Sequence, residues 1–286
     1  MTKFSSIHYQ RGSKLTHSSH SSLYYGRSCH NNTPVILKKL PLPQNNTNST
    51  LPNELQYLQR LKHQHILPVL DIITVPGSIY LVTPQQPFTL AQLIPAISPS
   101  TACTYLLQTA IGLSYIHSQG IIHCDIKPSN LLISTTNEIL ISDFGISQDL
   151  SAPKPKLPGT LPYMAIELLL GGTNYDYAID IWSLGIVFLE MLQHQLPFPG
   201  TGELDQIYQI TSQLGLTSED IQTLQQYPYG HLLKTTPGIP LNLPPSLQTI
   251  LQTLLHYNPQ KRSLAQAQVQ AQHYLQTHHP NTTQDQ

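Results

Sequence analysis

With 286 residues, the chain has room for one large domain or two lobes around an ample core. Lys and Arg number 14 against 15 Asp and Glu, so the formal net charge of −1 offers no bulk attraction to nucleic acid or anionic membrane. The longest apolar stretches, such as IWSLGIVFLEML, are too short to cross a bilayer and contain Glu190; no C-x-x-C and no apolar leader occur, which implies a reducing, cytoplasmic setting.

In chain order, the polar run LTHSSHSS leads into SLYYGRS, which reads as a strand, and PVILKKL reads as a second strand after the turn-like HNNTP. PLPQNNTNST is a polar linker. LPNELQYLQRLKH follows, with Leu51, Leu55, Leu58 and Leu61 near helical spacing. IYLVT reads as a buried strand, and from about Phe88 the pattern becomes mostly helical. TACTYLLQTAIGLSYIHSQG carries Ala102, Leu106, Ala110, Leu113 and Ile116 on one stripe, with Gly120 placed as a helix stop. NLLIS and EILIS, joined by TTN, predict a hairpin. IDIWSLGIVFLEML is apolar almost all round and predicts a buried central helix. QTHHPNTTQDQ predicts a disordered tail.

Two stretches carry chemistry on the residues alone. In VILKKL, strand alternation puts Ile36 and Lys38 on the same face. Glu54 lies inside the apolar stripe of LPNELQYLQRL, where a lone carboxylate is costly to bury and calls for a cation. The strongest stretch is IIHCDIKPSNLLIS followed by ISDFGIS. Its His123-Cys124-Asp125, Lys127, Asn130 and Asp143-Phe144-Gly145 resemble the H-R-D-x-K-x-x-N and D-F-G motifs of eukaryotic-type serine/threonine protein kinases. LLLGG, IDIWSLG and LLHYNPQKR are most similar to the cyclin-dependent kinase-like group. The resemblance covers about Leu15 to Leu275.

The resemblance implies an α+β, bilobal fold. Residues 1–87 would be a β-rich N-lobe with the phosphate loop, one helix and a hinge at its end. Residues 88–275 would be a larger helical C-lobe, and 276–286 the tail. It also implies a transferase that moves the γ-phosphate of ATP to Ser or Thr hydroxyls of a protein substrate, with Mg2+ or, as a substitute, Mn2+. Asp125 would orient the attacking hydroxyl, Lys127 would steady the transferred phosphate, and Thr160 would pack beside both. Asn130 and Asp143 would be the metal ligands. Lys38 would grip the α- and β-phosphates, paired with Glu54. Adenine would meet the carbonyl of Pro84 and the backbone of Gln86, beside a small Thr83, with Leu15, Leu23 and Ile36 above and Leu132 below. Glu167 and Arg262 match a structural pair, and Asp180 matches the residue that holds the catalytic-loop backbone.

Four departures from the family pattern bear on activity. Thr16, Ser18 and Ser21 stand where three glycines let the backbone approach the phosphates, so nucleotide binding is expected to be weaker. Ile36 replaces a small alanine on the roof of the adenine pocket. Cys124 replaces the arginine that binds an activation-loop phosphate, so that form of control is expected to be absent and activity constitutive. Ile166 and Met164 replace a proline and an arginine, which removes the basis for proline-directed specificity. NSTLPNE only faintly echoes a cyclin-binding helix, so a cyclin-like partner is not supported. A pseudokinase scaffold is the alternative reading. Metal binding through His17, His20, Cys29 and His30 is a third, although histidine is abundant throughout and chance clustering explains it.

Overall fold

A computed structural model describes residues 8–17, 21–41, 53–155 and 157–278. Ser18, His20, Leu51 and nearly all of the 41–50 linker lie outside the described residues, as do residues 279–286. The first half of the fold is an antiparallel sheet. Strands β1 (Tyr9–His17), β2 (Ser22–Ser28), β3 (Pro34–Pro41), β4 (Asp71–Val75) and β5 (Ser78–Pro84) lie in the order β1-β2-β3-β5-β4, and helix α1 (Asn53–Arg60) enters between β3 and β4. Alternation along β3 and β5 divides the sheet into two apolar faces. Val35, Leu37, Tyr80, Val82 and Ile73 pack on one face, with Tyr9 and Tyr24 against them. Leu40, Ile79 and Leu81 pack on the other with Leu55 and Leu58 of α1.

Helix α1 is shorter than the spacing of its leucines suggests. It ends at Arg60, and His63 turns the chain by accepting the amide of His65 on Nδ1 at 3.1 Å. Leu61, just past the helix, is still buried, so the stripe extends beyond the helix that it anchors.

From Phe88 onward the chain is mainly helical. Strand β6 (Phe88–Thr89) and α2 (Leu90–Leu93) lead into α3 (Pro99–Ser118), which starts where the Ser98 hydroxyl accepts the amide of Thr101. Its expected stripe is buried, and so are Cys103, Tyr105 and Thr109, because helices pack on α3 from several sides. Gly120, at φ +77, turns the chain out of the helix. Strand β7 (Ile121–Ile122) follows. The predicted hairpin forms as β8 (Leu131–Ile133) and β9 (Ile139–Ile141), with Leu131 opposite Ile141 and β6 on the far edge. Strand β10 (Gln148–Asp149) pairs back onto β7.

The rest consists of α4 (Ile166–Leu169), α5 (Ala178–Gln193), α6 (Glu203–Leu214), α7 (Ser218–Leu224), α8 (Pro245–Leu254) and α9 (Leu264–His278). Helix α5 is buried almost all round, as its composition requires, and the large core gathers about its Trp182, Phe188 and Leu184. Helix α9 runs to His278, into the stretch read as disordered tail. Its last turn is held by Tyr274 stacking on His278 at 4.1 Å and by Thr277 donating to the His273 carbonyl at 3.0 Å. No helix among the described residues is long and apolar enough to cross a membrane.

One buried ion pair ties the lower helices together. The Arg262 guanidinium donates to both oxygens of Glu167 at 2.7 and 2.8 Å, to the Ala178 carbonyl at 3.0 Å and to the His256 carbonyl at 2.8 Å. It also lies 4.8 Å from the Trp182 ring. Bidentate geometry and filled donor sites are what a buried pair needs to offset desolvation. Arg262→Ala strands the Glu167 carboxylate and should cost about 3–5 kcal/mol in thermal or denaturant unfolding. The double variant Glu167→Gln/Arg262→Met should recover part of that loss; a wild-type melting curve for Arg262→Ala would contradict the assignment.

Candidate active site

A cleft of about 420 Å³ opens between the sheet and the helical half. The register of the sheet decides which side chains reach it. Ile36 lies opposite Thr83 and Lys38 opposite Leu81 across β3 and β5, and Leu23 lies opposite Lys38 across β2 and β3. These inward positions line the cleft, with Leu15, Thr16 and Ser21 at its upper mouth. Pro84 and Gln86 line the side where β5 leaves the sheet; Leu132 and Asn130 line the floor, with Glu54 and Asp143 at the back. The Gln86 side chain reaches the Pro84 carbonyl at 3.5 Å.

At the back, the Lys38 ammonium donates to Glu54 Oε1 at 2.5 Å and to Asp143 Oδ1 at 2.6 Å. Burial disfavours the charged ammonium, but the two carboxylates outweigh it and hold Lys38 above its ordinary value. Burial likewise pushes Asp143 up, and Lys38 more than offsets this, leaving the carboxyl below its usual range. The two acids differ in exposure: the Glu54 side chain is 5% exposed and that of Asp143 is 48%. Glu54 is thus enclosed with its lysine, whereas Asp143 faces the open cleft. Lys38 thereby links α1, through Glu54, to Asp143 in the turn after β9.

The second cluster surrounds Asp125. Its Oδ1 accepts from the Thr160 hydroxyl at 2.7 Å. Its Oδ2 accepts from Lys127 Nζ at 2.8 Å and from Asn130 Nδ2 at 3.0 Å, and Asn130 Nδ2 also donates to the Asp125 carbonyl at 2.9 Å. Lys127 Nζ donates in addition to Thr160 Oγ1 at 2.7 Å. Both carboxylate oxygens are therefore engaged and the side chain has one orientation. Asn130 joins the two clusters, since it contacts Asp125 and lines the cleft beside Asp143.

The loop carrying Asp125 is fixed from below. Asp180, wholly buried at the start of α5, accepts the backbone amides of His123 at 2.8 Å and Cys124 at 2.9 Å, and His117 Nε2 at 2.8 Å. Burial alone would raise its pKa; the His117 hydrogen bond and charge reverse the direction. Cys124 is held at φ +68, and its buried thiol is directed at the Ile122 carbonyl, 3.6 Å away. Thr160 reaches Asp125 because Gly159, at φ +103, passes close over the loop: a Cβ there would lie 2.5 Å from the Cys124 carbonyl oxygen.

The geometry thus brings together, around one cleft, Lys38, Glu54, Asp143, Asn130 and the expected adenine-contacting positions, with Asp125, Lys127 and Thr160 beside it. Ser18 lies outside the described residues. His30 stacks on His8, with Nδ1 of His8 2.8 Å from Nε2 of His30, and no cluster of three metal-ligating side chains occurs among the described residues. The sequence reading missed Ser142 and Leu58, which also line the cleft. Their alternation with Asp143 and with the α1 stripe was the available signal. It also missed His117, Tyr57 and Lys154, whose partners are distant in sequence and which no local pattern marks.

Residues 9–275 match the family model described as the protein kinase domain. The chain is 32% identical over 288 residues to the serine/threonine-protein kinase ppk23 of Schizosaccharomyces pombe, a match covering 93% of this chain and 72% of that protein. It is 35% identical over 221 residues to cyclin-dependent kinase 14 of Callithrix jacchus, covering 74% of this chain and 52% of the relative, about half of the relative's length.

Gly159→Ala tests the close approach over the loop that carries Asp125. Positive φ and the clash with the Cys124 carbonyl should together cost about 1–3 kcal/mol in denaturant unfolding. Unfolding indistinguishable from wild type would mean that Thr160 is not held against Asp125 in this way.

Proposed function

We propose that this chain, which belongs to the protein kinase family, transfers the γ-phosphoryl group of ATP to Ser and Thr hydroxyls of protein substrates, with magnesium as its metal. The single observation that carries the reading is the convergence of Lys38, Glu54, Asn130 and Asp143 on one cleft, with Asp125 held beside it by its hydrogen bond from Asn130. In this reading residues 1–87 hold the nucleotide, and residues 88–275 hold the catalytic loop and the protein substrate. Leu15, Leu23 and Ile36 cover the base, Leu132 supports it, and the Pro84 carbonyl and Gln86 backbone take its hydrogen-bonding edge beside Thr83. Lys38, kept charged and aimed by Glu54, binds the α- and β-phosphates.

The donor set suits a hard cation. Asn130 uses its amide N–H group on Asp125, which leaves the amide oxygen as its acceptor, and Asp143 adds a carboxylate that faces the cleft. Magnesium there would neutralise charge on the phosphates. Asp125, with both oxygens fixed, orients the substrate hydroxyl and receives its proton. Lys127 lies on the same carboxylate and steadies the transferred phosphoryl group.

Two features support activity without outside control. Cys124 is a buried thiol with no charge to bind a phosphate, and burial raises its pKa further. Helix α1 is tied to the lower half by its own side chains: the Tyr57 hydroxyl donates to Asp149 at 3.1 Å and Arg60 donates to the Gln119 carbonyl at 3.0 Å. In this reading these ties, rather than a cyclin-like partner, hold Glu54 at Lys38.

A second reading, a pseudokinase scaffold, is favoured by one observation: the bulky Ile36 stands in the cleft opposite Thr83, below a mouth built from Thr16 and Ser21. Two experiments separate the readings. Asp143→Asn should lower magnesium-dependent ATP turnover by at least about a hundredfold. A wild-type protein that turns over no ATP with magnesium or manganese supports the scaffold instead. Ile36→Ala should lower the KM for ATP by about tenfold by relieving crowding over the base, and an unchanged KM would remove Ile36 as an obstruction.

A further inference from the structure

Thr160 can serve Asp125 only if the segment before it is held still, yet the nearby Cys124 offers no cation for a phosphate to fasten that segment. A different cation is present. Lys154 reaches from the segment to the loop preceding α5, where its ammonium donates to the carbonyl of Tyr175 and lies 5.1 Å from the centre of the Tyr175 ring. The contact is answered in the opposite sense: the Tyr175 hydroxyl donates to the Pro155 carbonyl at 3.2 Å. Two adjacent residues of the segment are thus tied to one side chain and its own backbone. Tyr175 is 4% exposed, and an ammonium against a desolvated aromatic face is attracted more strongly than in water. The same segment runs on to Gly159, which passes against the Cys124 carbonyl, so the clasp lies just before the point where the segment meets the catalytic loop. Its anchor also precedes the helix that carries Asp180, so segment and loop are set by the same rigid element.

We propose that Lys154 is a positioning residue for phosphoryl transfer: with Tyr175 it clasps the activation segment in the arrangement that receives protein substrate, so that no phosphate is needed to order it. The inference rests on the kinase reading above and concerns the protein substrate, not the nucleotide.

The test compares the full chain with Lys154→Met, Lys154→Arg and Tyr175→Phe. The readouts are amide hydrogen exchange over residues 148–160, affinity for magnesium-ATP by thermal shift, and steady-state kinetics with a Ser-containing peptide. Lys154→Met should speed exchange across the segment by about tenfold or more. It should raise the peptide KM by about tenfold while changing magnesium-ATP affinity less than about twofold. Lys154→Arg, which keeps charge and donors, should recover most of both losses, and Tyr175→Phe should fall between. Wild type treated with phosphatase should keep its activity. Unchanged exchange in Lys154→Met, equal losses in the Met and Arg variants, or a dephosphorylated wild type that is inactive until rephosphorylated would each overturn the proposal. A wild type that turns over no ATP would defeat the kinase reading and with it the positioning role, while the exchange comparison would still decide whether the clasp exists.

Discussion

A single buried carboxylate organises the lower half of this molecule. Asp180 has no access to water, and without donors its charge would be expensive. Two loop amides and His117 supply them, and His117 is itself oriented by stacking on Tyr177 at 4.6 Å. The return is conformational. Cys124 sits in the left-handed region, which costs a residue with a side chain on the order of 1 kcal/mol or more. The Asp180 bond to its amide offsets that strain. From there the order propagates upward: His123 faces the Ser142 carbonyl at 3.1 Å and packs edge-on to Phe144, whose neighbour Asp143 accepts from Lys38. The core helix is thereby connected, contact by contact, to the lysine in the cleft.

Charge is scarce in this chain, at 10% of residues, and a part of it is gathered at the cleft and in the core. Lys38, Glu54 and Asp143 form one compact group, Asp125 and Lys127 a second, and Glu167 with Arg262 a third. The Lys261–Glu219 pair at the surface, 3.5 Å apart and exposed on both sides, contributes little by comparison. Uncharged polar residues are used widely instead, so the ion pairs at the cleft and in the core stand out as the places where charge has a geometric task.

Much of this was legible in the sequence, for identifiable reasons. Strand alternation predicted that Ile36 and Lys38 share a face, and the stripe around Glu54 showed a carboxylate in need of a cation, because periodicity is a local property. The central helix and the β8–β9 hairpin were readable from composition and turn residues. What escaped was long-range or weakly patterned. Strand β1 is polar, lies at the sheet edge and carries register irregularities between Arg11 and Thr16, so only its pairing with β2 makes it a strand. That pairing also means that Thr16 and His17, read as part of a loop, belong to strand β1 opposite Leu23 and Ser22. The contacts of Tyr57 with Asp149 and of Lys154 with Tyr175 join segments that no spacing relates.

The two halves are joined by chain after β5 and by backbone pairing at a second place. There the segment between α1 and β4 touches the helical half through an isolated bridge to β9. Ile66 bridges Ile141 in parallel, the Ile141 amide donates to the His65 carbonyl and the Leu67 amide to the Ile141 carbonyl, each at 2.9 Å, while the His65 ring meets the Ile139 carbonyl at 3.1 Å. The upper half therefore cannot slide or lift away without breaking buried backbone pairing, and it cannot tilt without also loosening the Tyr57–Asp149, Arg60–Gln119 and Lys38–Asp143 contacts. The seam behind the cleft is laced by backbone as well as by side chains, so the two halves share one frame rather than meeting across a loose joint.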